Sequence, residues 1–444
     1  MKKLLLEPIV LCVLIPLGLV CLLLAFQMAS NKKLAPILES LFLHTFLYMM
    51  NGVGIPPFSL LSPRSFSIHD RSIAQMILTL GIYICAIFVL KSWFRKIFPN
   101  SLLLLLVTDP FLGLFCIYFM LSAFWSETPI LTFRVSLAFL GLGVISTHIA
   151  TRYSMDDIAA TIRRTNAVVL FTSIFYALGS SKGRIGKGWR GVLGHPIYLG
   201  SLMALNIAMW SVNAIYNPKQ RQLSLVIIVF SILTMQMANS SGAFISWLTC
   251  MAMLFVLRLI KHLPPRLGFS CVFIVIVIAI CAFLMFKENE AAIYTAMGKN
   301  ANFSGRGEVW PQIVERMKLR PIFGYGVVGF WQSWRGPESP ADGIQTVWGW
   351  VPPHAHQGWY DLILQLGLVG LILYGISFIN TAFKSVVYLT RNQPGDGSFF
   401  PLLFYTLLIM INMTDSNIFN FNFGWIYYVI IAIKMRIDVS QKKS

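Results

Sequence analysis

Charged residues are scarce in this sequence, and acidic ones are the scarcest. Only 12% of the 444 residues are charged, with 17 aspartates and glutamates against 35 lysines and arginines, whereas 57% are hydrophobic. A soluble domain carries about twice that fraction of charge, so the composition excludes a soluble globular fold. It indicates an integral membrane protein whose apolar segments lie in lipid.

Cysteines never occur in a polar loop of this chain. All seven fall inside apolar runs, which excludes a disulfide scaffold and favours a role as small buried hydrophobic residues. No outward loop carries a ligand set with zinc-like spacing, so we expect no metal and no other cofactor. The sequence also shows no obvious internal repeat, low-complexity stretch or soluble domain.

Basic residues are in large excess, with a formal net charge of +18. In a soluble protein this excess would suggest nucleic acid, but short cytoplasmic loops of membrane proteins collect lysine and arginine for topological reasons, so we expect no nucleic-acid partner. The basic segments that alternate as cytoplasmic loops are 91–96, 152–164, 219–221, 258–266, 384–391 and 434–443.

Apolar runs long enough to cross the hydrocarbon core recur along the whole chain, and they predict an all-α polytopic integral membrane protein with about 12 transmembrane helices. The predicted spans are 8–28, 74–91, 102–123, 130–149, 165–178, 195–215, 222–238, 242–258, 267–286, 357–379, 399–413 and 421–435. The segment 35–62 is also apolar, but counting it as a crossing would place the basic N-terminus outside. We predict a re-entrant or interfacial segment there.

This topology divides the chain into three parts. Residues 1–286 form an N-terminal transmembrane bundle, residues 287–356 form a large periplasmic loop between helices 9 and 10, and residues 357–444 form the C-terminal helices with a basic tail. The loop 179–194 faces the same side and carries four basic residues without an acidic one, against the positive-inside rule. An anionic ligand would explain that charge.

The long loop combines aromatic residues with arginine. Its tryptophans are Trp310, Trp331, Trp334, Trp348 and Trp350. Aromatic faces pack on sugar rings and the guanidinium fork binds phosphate oxygens, so this mixture suggests a phosphorylated glycan substrate. The alternative is an aromatic belt at the membrane interface.

Arg306 follows Ser304-Gly305 and precedes Glu308, a pattern that resembles a cap opening a short helix. A helix N-terminus beside an arginine is an anion site, although a loop arginine can also be only a surface charge. His354 and His356 stand two residues apart just before a helix. They suit acid–base chemistry better than metal binding, and the alternative is that they only flank the helix.

Four ionisable residues lie at or near the predicted membrane level, where charge is costly unless it is paired or hydrated. They are Asp109, Glu127, Arg134 and Asp415. Each can be a member of a structural ion pair or part of a catalytic site.

Several segments occur in an order that resembles the O-antigen ligase and polysaccharide polymerase superfamily, and within it the exopolysaccharide polymerases more closely than the ligases. The segments are Phe124–Pro129, Gly188–Gly200, Ser304–Arg306, Gly324–Gly326, His354–His356 and Asn412–Ser416. Two positions depart from the pattern. Gln357 stands where asparagine often follows the histidine, and no basic residue accompanies Ser241.

The resemblance implies a GT-C-like fold and glycosyl transfer from an undecaprenyl-diphosphate-linked oligosaccharide donor to a glycan acceptor, without nucleotide sugar or metal. It implies that Arg190 and Arg306 hold the diphosphate and that His356 acts on the acceptor. The residues expected to bind substrate are His195, Glu308, His354, Trp310, Tyr325, Arg184 and Asp415. Membrane lipid and a chain-length regulator are the further expected partners.

Three functions follow from these expectations. The first is a polymerase of lipid-linked repeats, making exopolysaccharide or O-antigen on the periplasmic face of a bacterial inner membrane. The second is a ligase with the same chemistry that delivers finished glycan to a lipid A-core or a protein. The third is a transporter of lipid-linked sugars, against which stand the missing inverted repeats and the concentration of polar residues on one side.

Overall fold

The computed structural model describes residues 33–51, 91–264, 305–418 and 423–441, together with a few isolated positions. Helices dominate these residues, and the one sheet among them is a two-stranded antiparallel hairpin. The helices are α1 Ala35–Met50, α2 Lys91–Thr108, α3 Pro110–Leu121, α4 Pro129–Arg152, α5 Met155–Gly179, α6 Pro196–Tyr216, α7 Arg221–Met237, α8 Ser241–Ile260, α9 Arg306–Leu319, α10 Gly358–Arg391, α11 Asp396–Thr414 and α12 Phe423–Gln441, and the strands are β1 Arg184–Ile185 and β2 Gly188–Trp189.

Six helical segments of the described residues are long and apolar enough to cross a membrane, which supports an all-α polytopic membrane protein. They are Pro129–Arg152, Pro196–Tyr216, Pro218–Met237, Ser241–Ile260, Gly358–Arg391 and Asp396–Thr414. The count of about 12 crossings stays a prediction, since the spans at 8–28, 74–91 and 267–286 fall largely outside the described residues.

The predicted span 102–123 is not one continuous helix. The chain bends by 111° where α2 ends and α3 begins. Pro110 lacks the N–H that would continue the helix, and the Asp109 side chain caps α3 by accepting a hydrogen bond from Leu112 N at 3.2 Å. The apolar run conceals this break because its hydrophobicity continues on both sides of it.

Asp109 is fully buried at the break, and its carboxylate forms an ion pair with Arg436 of α12. Ser377 of α10 donates a hydrogen bond to it at 2.6 Å. For this residue the structural ion pair is therefore the interpretation that the contacts favour. Glu127 pairs with Arg320 at 3.1 Å on the loop side of the bundle.

Helix α1 lies along α5 within the bundle. Glu39 accepts a hydrogen bond from Tyr153 near the start of α5, and Tyr48 donates one to Thr172 two-thirds of the way along it. The first part of the segment 35–62 therefore enters the helical layer, and its remainder, 52–62, lies outside the described residues.

Loops that the charge pattern assigns to one side do contact one another. Arg163 in the segment 152–164 pairs with Asp396 at the start of α11 at 2.9 Å, and Lys261 Nζ donates to Leu389 O at 2.6 Å, which joins the basic segments 258–266 and 384–391 at one end of the bundle. The long loop contacts residues 122–132 and Asp415 at the other end.

Helix α10 is interrupted at Gly367, whose φ of +62° is not helical. The interruption frees backbone groups that bond to the long loop: Tyr325 N donates to Leu364 O at 2.8 Å, and Leu368 N donates to Pro321 O at 2.9 Å. A Cβ on Gly367 would lie 2.2 Å from Ile322 O, so only glycine permits this approach. The loop is thus bonded directly into α10.

Candidate functional site

Two histidines and one aspartate form a compact cluster at the end of the bundle that carries the long loop. Nδ1 of His354 lies 3.5 Å from Oδ1 of Asp415, and Nδ1 of His356 lies 3.4 Å from the same oxygen. The two imidazole centroids are 4.0 Å apart. The histidines precede α10 and Asp415 follows α11, so two chain corners build the cluster.

Asp415 determines which nitrogen of His356 can accept a proton. Nδ1 lies 3.4 Å from the carboxylate oxygen, so the contact favours the tautomer with its hydrogen on Nδ1, which leaves Nε2 as the proton acceptor. His356 has a φ of +50°, which costs energy for a residue other than glycine and is held by its surroundings. Trp350 stacks on the His356 ring at 5.6 Å between centroids, and the backbone N–H of His356 donates to His354 Nδ1 at 3.2 Å.

Burial and charge set the protonation states of the cluster. Burial raises the pKa of Asp415, but the hydrogen bond from His356 and the charges of both histidines outweigh it, so the net shift is downward. Burial lowers the pKa of His354, with Asp415 opposing the shift and His356 adding to it. At neutral pH the cluster thus holds an ionised aspartate beside a neutral His354, which suits proton acceptance.

Asp361, in the first turn of α10, holds the two corners together, and sequence reasoning missed it. Its buried carboxylate accepts hydrogen bonds from Ala355 N at 3.1 Å, from Trp331 Nε1 at 2.6 Å and from Ser416 Oγ. Ala355 stands between the two histidines and Ser416 follows Asp415. The available signal was an acidic residue at the start of an otherwise apolar helix.

The hairpin of β1 and β2 presents the basic residues of the 179–194 loop. The guanidinium of Arg184 lies 5.8 Å from the Trp189 ring, and its Nε donates to Ala177 O at 2.8 Å. Arg190 is half-buried and its Nε donates to Lys182 O at 2.6 Å. Both arginines are therefore positioned by the loop itself, with further N–H groups left to each guanidinium.

His195 links this hairpin to the cluster. It caps α6, with Nδ1 accepting a hydrogen bond from Ile197 N at 3.3 Å, so Nε2 is its remaining nitrogen. Desolvation lowers the pKa of His195, the charge of Asp415 opposes that shift, and His354 and Arg190 add to it. Arg190, His195 and the cluster therefore share one electrostatic environment.

Arg306 is the first residue of α9, as the cap pattern predicted. Gly305 is the N-cap residue, with a φ of +77°. Glu308 does not close a capping box, because its Oε2 accepts a hydrogen bond from Val347 N at 2.8 Å and so holds the loop segment before the histidines. The start of α9 lies against Trp350, since a Cβ on Gly305 would be 3.6 Å from Trp350 Cε3, and Trp350 stacks on His356. The charge of Arg306 also contributes to the lowered pKa of His354.

Trp310 and Tyr325 lie inside the long loop and tie its parts together. Trp310 Nε1 donates to Ala355 O at 3.0 Å. The Tyr325 hydroxyl donates to Arg316 O at 3.0 Å, and its side chain is only 5% exposed. These contacts favour a positioning role for both residues.

The structure shows what the two positions that depart from the family pattern, Gln357 and Ser241, do in this protein. Gln357 caps α10, its Oε1 accepting a hydrogen bond from Tyr360 N at 2.6 Å. Ser241 begins α8, and the residues around it pack against two parts of the site. A Cβ on Gly188 of the hairpin would lie 2.8 Å from Ala238 O, and a Cβ on Gly242 would lie 3.2 Å from Oγ1 of Thr414, the residue before Asp415.

His354, His356 and Asp415 could also hold a metal ion, since one ligand atom from each lies within 4.8 Å of the others. The sequence spacing did not reveal this third ligand because Asp415 is distant along the chain. The neighbouring Arg190 and Arg306 act against a cation, since both place positive charge around the cluster. The expectation that no metal takes part stays a prediction.

Comparison with known proteins links this site to a family. Residues 226–375 match the family model described as O-antigen ligase, and this segment contains α8, Arg306, both histidines and Asp361. Arg190 and Asp415 lie outside it. A comparison with curated proteins finds no match. The helical membrane fold and the matched segment, which spans 150 of the 444 residues, together support a membrane enzyme that transfers glycans and is similar to the O-antigen ligase and polysaccharide polymerase superfamily.

Proposed function

We propose that this protein polymerises undecaprenyl-diphosphate-linked oligosaccharide repeats into exopolysaccharide or O-antigen on the periplasmic face of a bacterial inner membrane. The observation that carries the proposal is a histidine beside a carboxylate, with two arginines whose charges act on neighbouring histidines. Asp415 lies 3.4 Å from His356, and the charges of Arg190 and Arg306 act on the neighbouring His195 and His354. A base beside an anion site is what transfer from a lipid diphosphate requires.

In the proposed reaction, Arg190 and Arg306 neutralise the diphosphate of the growing lipid-linked chain. His356 Nε2 takes the proton from a hydroxyl of the incoming lipid-linked repeat, and Asp415 stabilises the resulting imidazolium through Nδ1. The hydroxyl oxygen bonds to the anomeric carbon, the bond from that carbon to the diphosphate oxygen breaks, and the lipid diphosphate leaves. The glycan chain therefore grows by one repeat.

The alternative is a ligase with the same chemistry and a different acceptor, a lipid A-core or a protein. The description of the matched family as O-antigen ligase favours keeping this alternative. The family match gives no support to a transporter.

Purified protein supplied only with lipid-linked repeats tests the proposal directly. We expect polymer to form at the same rate in excess chelator, because His356 and the arginines supply proton transfer and charge neutralisation without a metal. Gel analysis of the released glycan measures this. Loss of product in chelator with rescue by a divalent ion would instead make His354, His356 and Asp415 ligands, and transfer only to an added lipid A-core would make the protein a ligase.

The periplasmic position of the site is tested by reporter fusions. We expect fusions within residues 305–350 to report a periplasmic location, and fusions near 155, 219 or 262 to report a cytoplasmic one, because the latter loops are basic. Paired alkaline phosphatase and fluorescent protein fusions give both signals. A cytoplasmic signal from the long loop would remove the proposed reaction from the periplasm.

Asp361→Asn should impair turnover more than substrate binding. The amide keeps the volume but faces three donors with one acceptor oxygen, so the backbone between the histidines loses its anchor. We expect kcat to fall by about tenfold with KM little changed, on the scale of one lost buried hydrogen bond of about 1–3 kcal/mol. Asp342→Asn, at an exposed position of the long loop, is the control. A rise in KM with kcat unchanged would contradict a positioning role.

A further inference from the structure

Three aromatic rings form a continuous stack that leads out of the site. Trp348 stacks on Trp350 with 5.9 Å between centroids and 18° between planes, and Trp350 stacks on His356 at 5.6 Å and 27°. Trp348 is 62% exposed, so the outer end of the stack is open to solvent.

The turn that carries the two tryptophans is held in place by hydrogen bonds. Thr346 N donates to Trp350 O at 3.0 Å, and Trp350 N donates to the Thr346 hydroxyl at 3.0 Å. Glu308 of α9 accepts from Val347 N at 2.8 Å, which fixes the turn to the helix that begins with Arg306. The rings are therefore preorganised beside the site.

The start of α9 is shaped to receive these rings. A Cβ on Gly305 would lie 2.4 Å from Thr346 Cγ2, 3.4 Å from Trp348 Cζ2 and 3.6 Å from Trp350 Cε3. Because Gly305 has no side chain, the two tryptophans pack directly against the backbone that leads into Arg306. Aromatic rings and the proposed diphosphate arginine consequently belong to one surface.

We propose that the exposed face of Trp348 is a binding platform for a pyranose ring of the glycan substrate. The inference rests on the proposed function, since it places a sugar subsite beside that reaction. Pyranose rings have an apolar face of C–H groups that packs on the flat face of an indole, and the aromatic body gives contact area at little cost in entropy.

The geometry also indicates where the sugar on Trp348 lies relative to the reacting sugar. One face of His356 is covered by Trp350, and Trp350 in turn separates His356 from Trp348. A sugar on the outer face of Trp348 is therefore remote from Nε2 of His356. Trp348 therefore binds a sugar ring that is not the one reacting at His356. Its role is to align the repeat, and it takes no part in breaking the bond.

The membrane surface is the other candidate to contact this turn, because two apolar side chains are exposed there, Val347 at 90% and Val351 at 51%. The alignment of both indoles with His356 favours the sugar, since an anchor in lipid gains nothing from stacking toward the base. The experiment below includes the membrane as an outcome.

The test uses full-length protein and oligosaccharide released by mild acid from the cells' own lipid-linked repeats. We expect Trp348→Leu, which keeps apolar area but removes the flat face, to weaken oligosaccharide binding by about threefold to tenfold in calorimetry. Trp348→Phe should retain most of the affinity. In turnover, Trp348→Leu should raise KM by a similar factor with kcat within about twofold of the wild type, the scale of one aromatic contact.

Trp334→Leu is the matched control, since Trp334 is 41% exposed on the same loop and is not one of the three stacked rings. Equal affinity of Trp348→Leu and wild type, or an equal loss in the control, would overturn the platform. Quenching of the Trp348 contribution to fluorescence by brominated lipid in nanodiscs would also overturn it. Binding that depends on Trp348 in a protein that fails to polymerise would refute the proposed function while supporting the platform.

Discussion

His356→Ala is expected to abolish chain growth while the lipid-linked single repeat accumulates and the protein still inserts normally. The change removes the proposed base, whose contribution is about 10²- to 10⁴-fold in rate. His354→Ala should be milder, because His354 accepts the His356 backbone N–H and contacts Asp415 but is not the base itself. Glycan gels and mass spectrometry of extracted lipid-linked intermediates measure both variants.

The position of the accumulated repeat gives this experiment a second readout. A polymerase defect should leave the repeat outside, where lectin or periodate reaches it in spheroplasts. His262→Ala, in a basic loop at the far end of the bundle, is the matched control and should polymerise normally. An inaccessible repeat in the His356→Ala strain, or normal polymer in it, would refute the polymerase assignment.

Arg306→Lys is expected to lose most activity although it keeps the charge. Lysine is a point charge and cannot present two parallel N–H groups to a diphosphate. We expect a decrease of about 10²- to 10³-fold in kcat, the scale of one lost contact to the charge of the transition state. Initial rates with purified protein and lipid-linked repeats measure it, and Arg190→Ala should show a comparable loss.

Arg320→Lys is the control for the arginine fork, since Arg320 follows α9 and pairs with Glu127 on an exposed surface. Its activity should stay near that of the wild type, because exposed ion pairs contribute little to stability. Full activity in both Arg306→Lys and Arg190→Ala at normal expression would show that the diphosphate is bound elsewhere.

The parts of this fold that sequence predicted are those that depend on neighbours along the chain. Apolar length predicted the helices, and Ser304-Gly305 before Arg306 with Glu308 after it predicted where α9 begins. The breaks at Asp109 and Gly367 were not predicted, because hydrophobicity continues through both. The break at Gly367 is set by bonds to the distant long loop, whereas the break at Asp109 follows from the adjacent Asp109–Pro110 pair, a local signal inside the apolar run.

The candidate site was only partly readable for the same reason. His354 and His356 drew attention through their spacing, and the roles expected for Arg190 and Arg306 came from the family resemblance. That Asp415 lies 3.4 Å from His356, and that Asp361 anchors the backbone between the histidines, depends on how α10 and α11 pack together. A pattern of neighbouring residues in the sequence does not predict a contact between the ends of two helices.

The buried pair of Asp109 and Arg436 makes one end of the bundle depend on two helices that are far apart in the sequence. Asp109 lies at the start of α3 and its cation arrives only with α12, long after α3 has been synthesised. Until then the nascent protein holds a carboxylate without its partner inside the helical layer, and the absence of one member of a buried pair costs about 3–5 kcal/mol. Insertion of α12 therefore brings the charge that neutralises Asp109, so the break between α2 and α3 is stabilised by a helix that is synthesised much later.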